Sequence, residues 1–189
     1  MRKEIQNLTK QDWDTLFPIE LADHNSVWKD IFESEKQDIV KQAGEKIIGI
    51  EHVGSTSIPG IKAKSYIDIS IEIAEEDLFD QDIIGSLNNL GYHYFRQSSK
   101  IDYMIFVKGY NLSGENDQVF HLHICPTDHP MLDQIAFRDF LIDNHGRAKA
   151  YEQLKIELAE KYRNDRSGYR IAKDDFIKET MDMIRNEKS

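Results

Sequence analysis

The chain has 189 residues, of which 31% are charged and 40% hydrophobic, and its formal net charge is −10. That balance describes a globular chain with a substantial core, not a disordered one. It excludes a generic binder of nucleic-acid backbones or anionic membranes, because both need a basic face; only a local basic pocket is compatible with it.

The single cysteine, Cys125, has no partner for an internal disulfide and belongs to no zinc-binding cluster. The opening stretch MRKEIQNLTKQDWD lacks the apolar core of a secretory leader. No run approaches the ~20 apolar residues of a membrane span. The expectation is a cytoplasmic protein that works away from membranes.

In chain order, VWKDIFESEKQDIVKQAG has the apolar stripe of a helix. Trp28, Phe32, Ile39 and Ala43 share one face, Asn25 or Ser26 caps the start and Gly44 ends it. KIIGIEHVGS and SYIDISIEI read as strands. In the second, Ile67, Ile69, Ile71 and Ile73 face the core, while Tyr66, Asp68, Ser70 and Glu72 face a cleft or an uncovered surface. DQDIIGSLNNLG predicts a helix capped by Asp80 and ended by Gly91. YHYFRQ, KIDYMIFVKG and QVFHLHICP predict strands, with NLSGEND as a hairpin turn between the last two. From Pro130 onward the pattern is helical: MLDQIAFRDFLIDNHG, AKAYEQLKIELAEKYRND and YRIAKDDFIKETMDMIRNEK. The order gives an α+β fold with a mixed sheet, in a single domain over 1–189 whose segment 129–187 is helical.

Several residues are candidates for chemistry. Gly54-Ser55-Thr56 leaves a strand as a small polar turn, the kind that lets backbone amides approach a phosphate; the alternative is a tight strand exit. Asp68 is a carboxylate on an otherwise apolar strand and needs a metal, a base or several donors. A structural pair with Arg or His would serve equally. His121 and His123 flank Leu122 and point to one face, a spacing suited to a metal ion or to hydrogen bonds within a cleft. His52 lies two residues before Gly54 and is placed to orient the turn. Lys155 sits on an apolar helix stripe with Tyr151, Leu154 and Leu158, aimed at a phosphate or snorkelling to water. Lys173 and Arg138 are weaker versions of the same idea. Asp139 reads as one half of an ion pair between helix and sheet.

The block IEHVGSTSIPGIKAKSYIDI closely resembles the signature of the GrpB family, placed in the nucleotidyltransferase superfamily. FHLHI, AFRDFL, YEQLKIELAEKY and AKDDFI follow in the expected order, so the resemblance spans Trp28 to Ile177. It implies a nucleotidyltransferase-like fold in which Gly54 and Ser55 hold phosphates and Asp68 is the first carboxylate of a site for Mg2+ or Mn2+, with a nucleotide as substrate. The sequence departs from that pattern at Ser70, where a second carboxylate belongs. Glu72 shares the face but lies a further pair of residues along the strand.

Three functional expectations follow. The first is metal-dependent transfer of a nucleotidyl group to a small-molecule or protein acceptor. Here Asp68 and His123 are the catalytic candidates, Asp68, His121 and His123 the metal ligands, and Gly54, Ser55, Thr56 and Lys155 the phosphate contacts, with His52, Ser70 and Glu72 in support. The second is a catalytically degenerate module that binds a nucleotide or another phosphorylated metabolite. The third is a His-x-His metal-dependent hydrolase.

Overall fold

The structure is a computed structural model that describes residues 4–95, 102–113 and 117–187. Its elements run α1 (Lys10–Leu16), α2 (Val27–Ala43), β1 (Ile47–Val53), β2 (Tyr66–Ile73), α3 (Gln81–Asn89), β3 (His93–Phe95), β4 (Met104–Lys108), β5 (Val119–Pro126), α4 (Asp133–Asp143), α5 (His145–Lys161), α6 (Arg166–Ile171) and α7 (Asp174–Glu187). The predicted strand ends at 96–97 and 100–101, and residues 114–116 of the hairpin turn, lie outside the described residues. The five strands form one sheet in the order β1-β2-β5-β4-β3. Only β2 and β5 are parallel, so the sheet is mixed and the fold is α+β. No helix among the described residues is long and apolar enough to cross a membrane.

Strand β2 divides the molecule by its alternation. Ile67, Ile69, Ile71 and Ile73 join Phe120, Leu122 and Ile124 of β5 in the main core, against Trp28, Phe32 and Ile39 of α2 and Ile83 and Leu87 of α3. The expected caps form: Asn25 Oδ1 accepts the Val27 amide at 3.1 Å, and Asp80 accepts the amides of Asp82 and Ile83. Beneath this core Glu35, 6% exposed, accepts hydrogen bonds from Tyr92 Oη at 2.9 Å and Lys108 Nζ at 2.7 Å.

The opposite face is covered in two parts. Phe17, Val107, Tyr110 and Val119 form one cluster, joined by Trp13 and Tyr66. Helix α1, which no apolar period announces, supplies Trp13; its start is a capping box between Thr9 and Asp12, legible as T-K-Q-D. Leu141, Ala148 and Tyr151 of the C-terminal helices form the other cluster, with Ile58 and Ile61. Between the two lies a gap over Asp68.

The last predicted helix is two helices. Asp165 caps α6 by accepting the Gly168 amide, and α7 restarts at Asp174 and Asp175. Paired carboxylates favour a new N-terminus, where they meet the positive end of the helix dipole. The break brings Tyr169 and Lys173 to the same cavity.

Truncating Glu35 leaves a buried phenol and an ammonium without their acceptor. Glu35→Ala is expected to lower the unfolding free energy by about 3–5 kcal/mol, read by urea denaturation.

Candidate functional site

The turn after β1 is built for close approach. Gly54 has φ 72° and ψ −174°, a region that residues with side chains scarcely adopt. A Cβ added there would stand 2.3 Å from Asp68 Oδ2. Glycine is therefore required twice, by its backbone angles and by the carboxylate beside it. Ser57 Oγ donates to the Gly54 carbonyl at 2.6 Å and fixes the turn.

Thr56 and His52 secure the turn from beneath and do not line the cavity above it. Thr56 Oγ1 donates to the Tyr66 carbonyl at 2.9 Å and lies 3.0 Å from His52 Nε2. The hydroxyl has one proton, so His52 Nε2 donates to it. His52 pairs across the ladder with Ile69, on the isoleucine face, and stacks on Phe32 at 4.9 Å. Burial pushes its pKa down to about 4.

Asp68 ends a directed chain of hydrogen bonds. The β2–β5 register seats it beside His121, whose Nδ1 is 2.9 Å from Asp68 Oδ1. His121 Nε2 is 2.8 Å from Tyr110 Oη, and Arg166 Nη2 donates to that oxygen at 3.1 Å. Arg166 has only donors, so the Tyr110 proton points to His121 Nε2, and His121 donates from Nδ1 to Asp68. Burial acts to raise the Asp68 carboxyl. The hydrogen bond from His121, backed by the field of both histidines and Lys64, outweighs it and holds the pKa at about 2.

Above this chain a cavity of about 430 Å³ opens, within the range of small-molecule sites. Gly54, Ser55, Lys64, Tyr66 and Asp68 form its sheet side. Helix α4 brings Phe137, α5 brings Tyr151 and Lys155, α6 brings Tyr169, and the turn between α6 and α7 brings Lys173. Lys155 is 1% exposed, and its ammonium donates to the Lys62 carbonyl. Lys64 Nζ lies 4.9 Å from the Tyr66 ring and 5.9 Å from that of Tyr169. Lys173 Nζ lies 4.7 Å from the Tyr169 ring. Burial, then the charges of Arg166, Lys173 and Lys155, push the Lys64 amine down to about 7. Burial, then Lys173, does the same to Lys155, also to about 7.

Of the candidates named from sequence, Gly54, Ser55, Asp68, Lys155 and Lys173 meet in this cavity. His121 reaches it through Asp68. Ser70 and His123 sit side by side in the ladder, and Ser70 Oγ and His123 Nδ1 are enclosed without hydrogen-bond partners. Burial pushes the His123 imidazole below its ordinary range. Glu72 is turned elsewhere, accepting from Thr127 Oγ1 at 2.7 Å. Arg138 binds Glu51 and the His52 carbonyl, both at 2.7 Å, and does not line the cavity. Asp139 pairs with Arg138 at 2.8 Å but is 55% exposed, so that ion pair lies at the surface and not inside the interface. Lys64 and Tyr66 carry a signal in the sequence: they extend the alternating row of Asp68 upstream. Tyr110 and Arg166 carry none, since they lie far from Asp68 in the chain.

The donor set does not fit Mg2+ or Mn2+. Such an ion takes a near-octahedral shell of oxygens. Asp68 commits one oxygen to His121, Ser70 replaces the second carboxylate, and Glu72 is held by Thr127. Both His121 nitrogens are engaged, which also breaks the His-x-His arrangement. Among the described residues no group of three or more His, Cys, Asp or Glu side chains is arranged to hold a metal. The lysines supply the local positive charge instead.

A family model described as "GrpB protein" matches residues 18–183. Glutamate-rich protein GrpB of Alkalihalophilus pseudofirmus is 34% identical over 165 residues, covering 85% of this chain and 92% of that protein. UPF0157 protein PA4798 of Pseudomonas aeruginosa is 33% identical over 84% of this chain, which spans 64% of that relative. UPF0157 protein YqkA of Bacillus subtilis is 31% identical over 85% of this chain, which spans 45% of that relative. The crystal structure of conserved protein GrpB from Enterococcus faecalis superposes with a TM-score of 0.76 at 27% identity, over 89% of this chain and 99% of that one.

Gly54→Ala is expected to cost about 1–3 kcal/mol for the backbone alone and to displace the Asp68 carboxylate, read by thermal unfolding and by the His121 imidazole signals in NMR. The lysines set a second expectation. Lys64 and Lys155 are lowered from 10.5 to about 7 by folding, so between those values the unfolded chain binds more protons. Stability therefore rises from pH 7 towards pH 10, against the usual neutral optimum. Lys155→Met flattens that rise in a melting-temperature series.

Proposed function

The chain belongs to the GrpB family, and from that premise and the charge of its cavity we propose that it captures a phosphorylated small molecule, a nucleotide or another phosphorylated metabolite. One observation carries the reading. A chain of net charge −10 gathers Lys64, Lys155 and Lys173 around one cavity, beside a glycine turn. Crowding like charges is unfavourable unless an anion relieves it. A phosphate group supplies about −1.5 to −2 charges and several acceptor oxygens, enough to answer more than one ammonium. Tyr66, Tyr151, Tyr169 and Phe137 give the cavity an aromatic lining, suited to a ligand that carries a ring.

Capture without metal-dependent transfer is the better fit. Nucleotidyl transfer relies on carboxylate-held cations to neutralise the reacting phosphate, and the donors around Asp68 do not assemble such a site. Loss of a second carboxylate leaves phosphate capture intact, because cationic side chains perform it. Asp68, fixed by His121, keeps its second oxygen near the cavity and selects for a ligand that presents a hydroxyl or amine beside its phosphate.

The test is calorimetry and thermal shift with inorganic phosphate, AMP and ATP, each with and without Mg2+. A ligand at a hundredfold excess over its Kd is expected to stabilise the fold by about 2.7 kcal/mol, without a requirement for Mg2+. Lys173→Ala is expected to weaken binding about tenfold, a loss of roughly 1.4 kcal/mol, while Arg138→Ala leaves binding unchanged. Absence of binding by all these anions, or equal binding by Lys173→Ala, overturns the reading.

A further inference from the structure

Lys64 and Lys173 differ from the other lysines that reach this cavity or its rim. Lys155 is committed to a backbone carbonyl and Lys62 to Asp23. Elsewhere Lys10, Lys46, Lys108 and Lys149 each meet a carboxylate. Among the described residues neither ammonium has a hydrogen bond or an ion pair; Lys173 rests against one ring, whereas Lys64 lies at the cavity wall four residues from Asp68. Its Nζ rests against the Tyr66 and Tyr169 rings. Cations flank it from three places: Lys155 on α5, Arg166 on α6 and Lys173 in the turn between α6 and α7. Asp68 on β2 acts against them, and that carboxylate is already bound by His121. Asp133 of α4 lines the same cavity.

An amine that lines a cavity against two aromatic rings, surrounded by like charges and held by no acceptor, is arranged as a nucleophile rather than as a counter-ion. We propose that Lys64 condenses with the carbonyl carbon of a phosphorylated aldehyde or ketone to form an imine. The proposal rests on the anion-capture reading and narrows its ligand to a compound that carries both groups. Lys173 meets the phosphate, and Lys64 meets the carbonyl.

The step balances without an oxidant or a metal. The Lys64 nitrogen lone pair attacks the carbonyl carbon and forms the C–N bond. The carbonyl π electrons move to oxygen, which takes a proton and becomes the hydroxyl of a carbinolamine. The nitrogen then gives up its extra proton, and its lone pair forms the C=N bond as the C–O bond breaks and the protonated hydroxyl leaves as water. Lys155 shares the cavity and is suited to lend the proton that the departing hydroxyl needs. Its amine, like that of Lys64, is poised to change protonation near neutral pH, where a proton carrier is most effective.

Pyridoxal phosphate combines an aldehyde, a phosphate and a flat ring, and it serves as the probe. The full chain is incubated with it, reduced with borohydride and mapped by peptide mass spectrometry, with calorimetry of inorganic phosphate run in parallel. The expected result is one trapped adduct, on Lys64. Its formation rate reaches half-maximum near pH 7, pyridoxal without the phosphate reacts at least tenfold more slowly, and inorganic phosphate protects. Lys64→Arg keeps the charge and abolishes the adduct. Mapping in the unaltered chain makes the result independent of how that variant folds. Labelling of Lys64 no faster than exposed lysines such as Lys29, or first labelling at Lys155 or Lys173, overturns the proposal. Phosphate binding without a Lys64 adduct removes the imine and leaves anion capture standing; absence of both removes both.

Discussion

Everything at the cavity depends on where the Asp68 carboxylate is held. Its position follows from the parallel pairing of β2 with β5, which sets it beside His121. The hydrogen bonds then run outward through Tyr110 to Arg166, which also donates to the Phe17 carbonyl at 2.9 Å. One anion thus ties the central strands to α6 and to the end of α1. The chain has a direction, from a group with only donors to a group with only acceptors, so each member has one role and one orientation. Gly54 completes the arrangement. A side chain there would occupy the space of Asp68 Oδ2. The turn and the carboxylate are two halves of one packing solution, and the spacing between them in sequence reflects the loop needed to bring β2 back beside β1.

The parts of the fold that were legible in sequence are those governed by local periodicity. The isoleucine row of β2, the stripe and cap of α2, and the Asp80 cap of α3 all announce themselves within a few residues, and they form the main core. The division of the last helix was less visible, because YRIAKDDFIKETMDMIRNEK keeps an apolar period across the break at Ala172 and Lys173. The start of α7 depends on Asp174 and Asp175, whose preference for a helix N-terminus competes with that period. Helix α1 had only its capping box as a marker.

The site divides along the same line. Gly54, Ser55 and Asp68 are close in sequence and were readable together. Lys155 was readable because a lysine on a buried stripe is conspicuous. His121 faces Asp68 as its alternation requires, but its role as a tether depends on Tyr110 and Arg166, which only the folded chain brings near. His52 and Thr56 belong to the turn yet point to its other side: strand alternation puts His52 on the isoleucine face, and its place next to the motif in sequence gives no hint of that. Proximity in sequence to a glycine turn is therefore a poor guide to which residues face a ligand. The face of the strand is the better guide: it already placed Tyr66 on the cleft side, and one step further upstream it would have included Lys64.

The cost of the cavity is the strongest physical argument about its use. Removing an ammonium group from water is unfavourable, and placing several together adds repulsion that little solvent screens. The fold concedes this cost by letting Lys64 and Lys155 shed protons easily, and it offsets part of it with aromatic faces and a backbone carbonyl. A carboxylate placed among them would have removed the strain, in a chain that carries 34 Asp and Glu residues. Asp68 and Asp133 line the cavity, yet His121 already claims one Asp68 oxygen, Asp133 lies 3.7 Å from Arg185, and neither pairs with a cavity lysine. Positive charge left uncompensated in so acidic a chain leaves room for an anion that the protein does not itself supply.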